Sequence, residues 1–185
     1  MGFKEKLEDA VSKGIIVLGI CGGLQILGKT IRDPYNIEGS KDFEEGLGFL
    51  NIDTILEKEK NTTQFDGESI IDIDYINFSE GQKFYGYEIH QGKSSGSEKV
   101  FLKNKENDIG FYKENIIGTY LHGLFEEGEF LKGILDFLNK KNDTESKSFK
   151  LFKENEYKKL AEIVEKNLDM KKIYEIMGLE NEFDV

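Results

Sequence analysis

The sequence predicts an α/β domain on a doubly wound, mostly parallel sheet, followed by a helical tail. Three observations support it. A helical pattern over residues 3–13 runs into a continuous β-branched stretch, Ile15 to Ile20. Such a stretch fits a strand buried on both faces, as in a parallel sheet. It turns tightly through Cys21-Gly22-Gly23 into a second helical pattern, and helix, buried strand, tight turn and helix is the order of a doubly wound sheet. Finally, a second apolar run, Ile116 to Leu121, delivers a histidine, and two amphipathic helical patterns fill Phe149 to Met177.

Each element follows from spacing. Phe3, Leu7, Ala10 and Val11 share one helical face, and Gly14 supplies a stop. After the turn, Leu24, Leu27 and Ile31 face inward on a helix over residues 24–31. Asp33-Pro34 breaks it, and residues 35–46 read as a polar loop. Further strands are expected near residues 48–57, 68–76, 84–91, 108–113 and 116–121. Residues 127–139 carry the stripe Phe130, Leu131, Ile134, Leu135 and Leu138, which predicts a helix. A polar connector, Asn139 to Ser148, precedes the tail.

Bulk properties exclude some functions. The chain has 185 residues, with Lys plus Arg 25 against Asp plus Glu 36, a formal net charge of -11. That balance argues against nucleic acid, whose phosphates need a basic footprint; a solvated acidic surface is the plain reading. A single cysteine forbids an internal disulfide and fits a reducing compartment. No apolar run approaches the roughly 20 residues of a membrane span, and the first residues lack a signal-peptide core. A cytoplasmic chain without membrane partners is expected.

Chemistry concentrates at Cys21. Gly19-Ile20-Cys21-Gly22-Gly23 has the form G-x-C-x-G, which follows the logic of a nucleophile elbow. Glycines leave room for a sharp turn. The side chain then stands at a helix N-terminus, which favours a thiolate, and Gly22 offers a backbone N–H to an oxyanion. The alternative is a buried, inert thiol. A thiol nucleophile needs a base, and the histidines are His90 and His122. His122 closes an apolar strand, where open α/β sheets place their sites, so two strand ends bring it beside Cys21. His90, in Gly86-Tyr87-Glu88-Ile89-His90-Gln91-Gly92, reads as structural or substrate-lining.

Three motifs in order resemble one family. Gly19 to Gly28 resembles the nucleophile motif of class I glutamine amidotransferases. Gly118-Thr119-Tyr120-Leu121-His122-Gly123-Leu124-Phe125 resembles the histidine motif of their cobyric acid synthase branch, and Gly86 to Gly92 its middle motif. Ile31-Arg32-Asp33-Pro34, Glu45-Gly46-Leu47-Gly48 and the paired C-terminal helices stand at matching places. The resemblance implies a class I amidotransferase-like core over residues 1–145 and a helical extension of it over 146–185. It implies that Cys21 attacks the side-chain amide of glutamine, that His122 moves the protons, and that Gln25 helps hold the substrate, though a capping or surface role is open for Gln25.

The same resemblance implies no metal or cofactor in this chain. Its ammonia would go to a synthetase domain that uses ATP and magnesium to amidate adenosylcobyrinic acid a,c-diamide in cobalamin biosynthesis. Two departures stand out. Most class I amidotransferases place a glutamate two residues after the histidine; here that residue is Leu124, so a Cys–His dyad is expected, with Glu88 a candidate orienting group. The family also has strands upstream of this chain's first helix, and no P-loop motif occurs here, so a truncated amidotransferase without its synthetase is expected, with a homo-oligomer possible. Two other readings stay open: the amidotransferase subunit for a cell-wall lipid precursor, and an inactive fragment that only associates.

Overall fold

The computed structural model describes residues 2–76, 78–126, 128–138 and 149–179. The first helix is α1 (Phe3–Ser12), and Gly14 at φ +72° turns the chain out of it. β1 (Val17–Ile20) leads through Cys21 into α2 (Gly22–Leu27). Short strands β2 (Thr30–Arg32) and β3 (Phe43–Glu45) follow. Long strands β4 (Ile52–Glu68) and β5 (Lys83–Gly96) flank a 3-10 turn, Asp74–Ile76. Then come β6 (Lys99–Asn104), β7 (Asn107–Lys113), β8 (Ile116–Thr119) and β9 (Leu121–His122), before α3 (Gly128–Leu138). The tail carries α4 (Phe149–Asn167) and α5 (Met170–Met177). Among the described residues, no helix is long and apolar enough to cross a membrane.

The chain divides into two units, Met1–Thr144 and Glu145–Val185. In the first, one sheet runs β1-β8-β7-β6 and the other β3-β2-β4-β5-β9. The α/β class expected from sequence stands, but strand direction differs from a mostly parallel sheet. Of the seven pairings between these strands, β1–β8 and β2–β4 run parallel and the rest antiparallel. Connection length explains this. Parallel neighbours need a long crossover, whereas β6–β7 and β7–β8 join through two-residue turns with Lys105 and Glu114 at positive φ. In the second unit, Asp169 caps α5 by accepting from the Lys172 amide, and Gly178 ends it at φ +70°.

Four local expectations are corrected. The helix after Cys21 stops at Leu27, and Thr30–Arg32 pairs with β4 as a strand. The loop over residues 35–46 contains β3. Residues 68–76 form a strand end and the 3-10 turn rather than a strand of their own. β1 is half-buried rather than buried on both faces, because it pairs on one side only among the described strands. β6 went unforeseen. The connector Asn139 to Ser148 lies outside the described residues.

Two glycines let α2 settle on its sheet. Gly19 pairs with Gly118 across β1 and β8. A Cβ on Gly19 would sit 2.5 Å from Leu27 Cδ1 and 2.7 Å from the Gly23 carbonyl, and one on Gly118 would strike Leu24. Leu24 and Leu27 are buried there with Leu50, Ile52 and Tyr120. Real Cβ atoms do not tolerate such approaches, so the motif's first glycine serves helix packing as much as the turn.

Asp33 organises the loop after β2. Its carboxylate accepts from the amides of Ile37 and Glu38, each at 2.8 Å, and the side chain is 5% exposed. The Ile37 bond first, then Glu38, Tyr35 and Gly39, hold its pKa below the ordinary value against the opposing effect of burial. A lowered folded pKa stabilises above the unfolded value, and that contribution is lost as pH falls through the folded value. The melting-temperature gap between wild type and Asp33→Asn is therefore expected to shrink as pH falls through and below the ordinary carboxylate range. A gap independent of pH would contradict this role.

Candidate active site

Cys21 sits at φ +54°, ψ −112°, between the last residue of β1 and the first of α2. A non-glycine residue at positive φ is strained and persists only where its surroundings hold it. Here its amide donates to the Thr119 carbonyl at 2.8 Å, and its carbonyl accepts from the Gln25 amide at 3.3 Å. The thiol faces the Ile89 carbonyl at 3.5 Å. It opens on a cleft of about 390 Å³ lined by Cys21, Gly22, Gln25, Ile89, His90 and Gln91, among others. That is a normal size for a small-molecule site, roughly 300–1,000 Å³. The Gly22 amide heads α2, where no intrahelical acceptor exists.

Gln25 is tethered inward. Its Nε2 donates to the Tyr120 hydroxyl at 3.3 Å. Tyr120 and Ser94 hydroxyls lie 2.7 Å apart, as do those of Ser94 and Thr54. Burial pushes the Tyr120 hydroxyl above its usual pKa, while the hydrogen bonds with Ser94 and Gln25 pull the other way. Tyr120 thus stays a protonated phenol near neutral pH, able to pass its hydrogen bond to Ser94.

His90 and Glu88 form a buried unit. The His90 ring stacks on Tyr120 with centroids 3.8 Å apart. Its Nδ1 lies 2.7 Å from the Gly92 carbonyl and its Nε2 2.9 Å from Glu88 Oε2. Glu88 is 1% exposed and also accepts from Asn61 on β4 and Asn104 on β6. It does not reach His122. Glu88 pairs with Leu121, and Tyr87 with His122; directly opposed residues share a face and neighbours alternate. Glu88 therefore points to the other face of β5 from His122.

His122 lies on β9, paired with β5, rather than at the end of β8. The chain changes sheets at Tyr120, where the buried Thr119 hydroxyl donates to the Ile109 carbonyl and accepts from the Leu121 amide. This satisfies polar groups at the switch. The His122 ring stacks on Tyr87 at 5.3 Å and 3°. Its Nε2 is buried with no hydrogen-bond partner. No hydrogen bond joins it to Cys21 among the described residues, but β5 serves both: Tyr87 faces His122, and Ile89 takes the thiol. Those strand positions are roughly 6.6 Å apart. Among the described residues no group of three or more His, Cys, Asp or Glu could hold a metal ion.

Sequence reading missed Tyr120, Ser94, Thr54, Asn61 and Asn104. A usable signal existed for some of them: Ser94 and Thr54 are polar residues on the inward phase of strands, which need partners when buried.

A strained cysteine between strand and helix, in a mixed α/β core, defines an α/β domain of the nucleophile-elbow type. The fold is similar to PurLQS from Thermotoga maritima, with a TM-score of 0.52 at 18% identity over 73% of this chain and 68% of that one. The chain belongs to the CobB/CobQ-like glutamine amidotransferase domain family, whose model matches residues 1–130. It is 40% identical over 177 residues to a cobyric acid synthase of Clostridium perfringens, covering 91% of this chain and 34% of the relative. It is 39% identical over 194 residues to that of Caldanaerobacter subterraneus subsp. tengcongensis, covering 95% and 38%. The chain thus spans about a third of the length of these curated relatives.

Proposed function

We propose that this chain hydrolyses glutamine and supplies the ammonia for a cobyric acid synthase reaction. The observation that carries the chemistry is Cys21, held at positive φ with its thiol on the cleft. His122 takes the thiol proton, and the thiolate adds to the glutamine amide carbon. The Gly22 amide donates to the resulting oxyanion. The C–N bond breaks as His122 returns the proton to the leaving ammonia, which leaves a γ-glutamyl thioester. His122 then deprotonates water, which attacks the thioester and releases glutamate and the free thiol. The buried, unpartnered Nε2 of His122 supports this role, since a base needs an unoccupied nitrogen and catalytic hydrogen bonds often tighten only with substrate bound.

The resemblance to the cobyric acid synthase branch implies the ammonia acceptor: adenosylcobyrinic acid a,c-diamide, amidated by an ATP- and magnesium-dependent synthetase part. His122→Ala is expected to lower ammonia release from glutamine by about 10²- to 10⁴-fold, assayed with and without the synthetase part of a relative. An unchanged rate would remove His122 from the mechanism.

A further inference from the structure

Two unpartnered opposite charges line the cleft beside Cys21, and the fold goes out of its way to present both. The first is Lys60. β4 and β5 pair regularly from Ile52 to Leu56 and again from Asn61 onward, but the register shifts between them. Leu56 faces Gly92 and Asn61 faces His90, so residues 57–60 stand against Gln91 alone. Such a bulge re-aims side chains, and bulges gather next to active sites. This one brings Lys60 onto the Cys21 cleft. The second is Glu38. Asp33 caps the turn before it and takes the Glu38 amide directly, and that turn sets Glu38 on the same cleft.

Neither the Glu38 carboxylate nor the Lys60 ammonium makes a hydrogen bond or ion pair among the described residues. Nearby surface charges do pair, for example Lys41 with Glu44 and Lys29 with Asp53. The other polar side chains lining the cleft are the Cys21 thiol, two neutral amides, Gln25 and Gln91, and His90, whose ring nitrogens are engaged by Glu88 and Gly92. The cleft therefore offers one acceptor of a cation and one donor to an anion, together with a nucleophile.

We propose that Glu38 binds the α-ammonium and Lys60 the α-carboxylate of the amino acid whose side-chain amide meets Cys21. This rests on the glutaminase reading and adds to it the basis for choosing a free amino acid. A zwitterion satisfies both groups at once, whereas a peptide-bound glutamine or a simple amide leaves one or both charges unmet.

The test labels Cys21 in the full chain and reads the rate by peptide mass spectrometry. The probes are 6-diazo-5-oxo-L-norleucine, a zwitterionic electrophile, and iodoacetamide, a neutral one. Glu38→Gln and Lys60→Met are each expected to slow the first reagent about tenfold, the scale of one charge-assisted hydrogen bond, and to leave the second unchanged. Glutaramate, which is glutamine without its α-amino group, is expected to protect Cys21 less well than glutamine in wild type and equally well in Glu38→Gln. Unchanged labelling by the zwitterionic reagent, or equal slowing of both reagents, would overturn the assignment. Charge-selective labelling in a chain that releases no ammonia would leave this assignment standing and remove the glutaminase reading instead.

Discussion

Cys21→Ala is expected to abolish glutamine-dependent ammonia release, lowering it by about 10³-fold or more, as nucleophile removals do. Cys21→Ser should fail nearly as completely. The hydroxyl is a far weaker nucleophile near neutral pH than a thiol with some thiolate character. The backbone is not expected to collapse in either variant. The fixing contacts at this residue are its amide to Thr119 and its carbonyl to Gln25, and both survive truncation of the side chain. Unchanged melting with lost activity is therefore the expected pair of results. Loss of both together would mean that the thiol serves packing, and retained activity would move the chemistry elsewhere.

The second large effect is on stability. Glu88→Leu is expected to cost about 3–5 kcal/mol, measured by the urea midpoint at constant slope. Glu88 is buried, and one carboxylate serves His90 on its own strand, Asn61 on β4 and Asn104 on β6. Because β6 belongs to one sheet and β4 and β5 to the other, this residue ties the two sheets together. A leucine fills the volume but leaves Asn104 without that acceptor, and leaves Asn61 Nδ2 and His90 Nε2 only the 3.2 Å contact between them, a costly outcome for buried groups. Glu88→Gln keeps one acceptor oxygen and should lose about 1–2 kcal/mol. Because His90 stacks on Tyr120, which holds Gln25, activity should fall in both variants. A Glu88→Leu midpoint equal to wild type would contradict the network's importance.

What was legible in the sequence is what short-range physics controls. The run from Ile15 to Ile20, the turn at Cys21 and the helix behind it follow from β-branching, glycine spacing and apolar period, and β1, Cys21 and α2 lie within them. The two tail helices were readable for the same reason. Strand direction was not readable, because an apolar run looks alike in parallel and antiparallel pairs; turn length decided it. Nor could sequence place His122, because a two-residue change of sheet at Tyr120 depends on the Thr119 hydroxyl replacing backbone partners. Glu88 was a candidate to orient His122, and its carboxylate contacts His90 instead. The two-residue period of a strand puts it on the His90 face, and only the β5–β9 register reveals which face His122 takes. Lys60 was invisible because a bulge breaks that period.

The most direct test is to trap the intermediate. Acid quenching of the chain during turnover with glutamine, together with the synthetase part and ATP if they are needed for activity, should leave a peptide containing Cys21 heavier by one glutamyl group. The adduct should be released by hydroxylamine and absent from Cys21→Ala. His122→Ala should form it slowly. Ammonia release with no adduct at Cys21, or with an adduct on another residue, would contradict the assignment of Cys21 as the nucleophile.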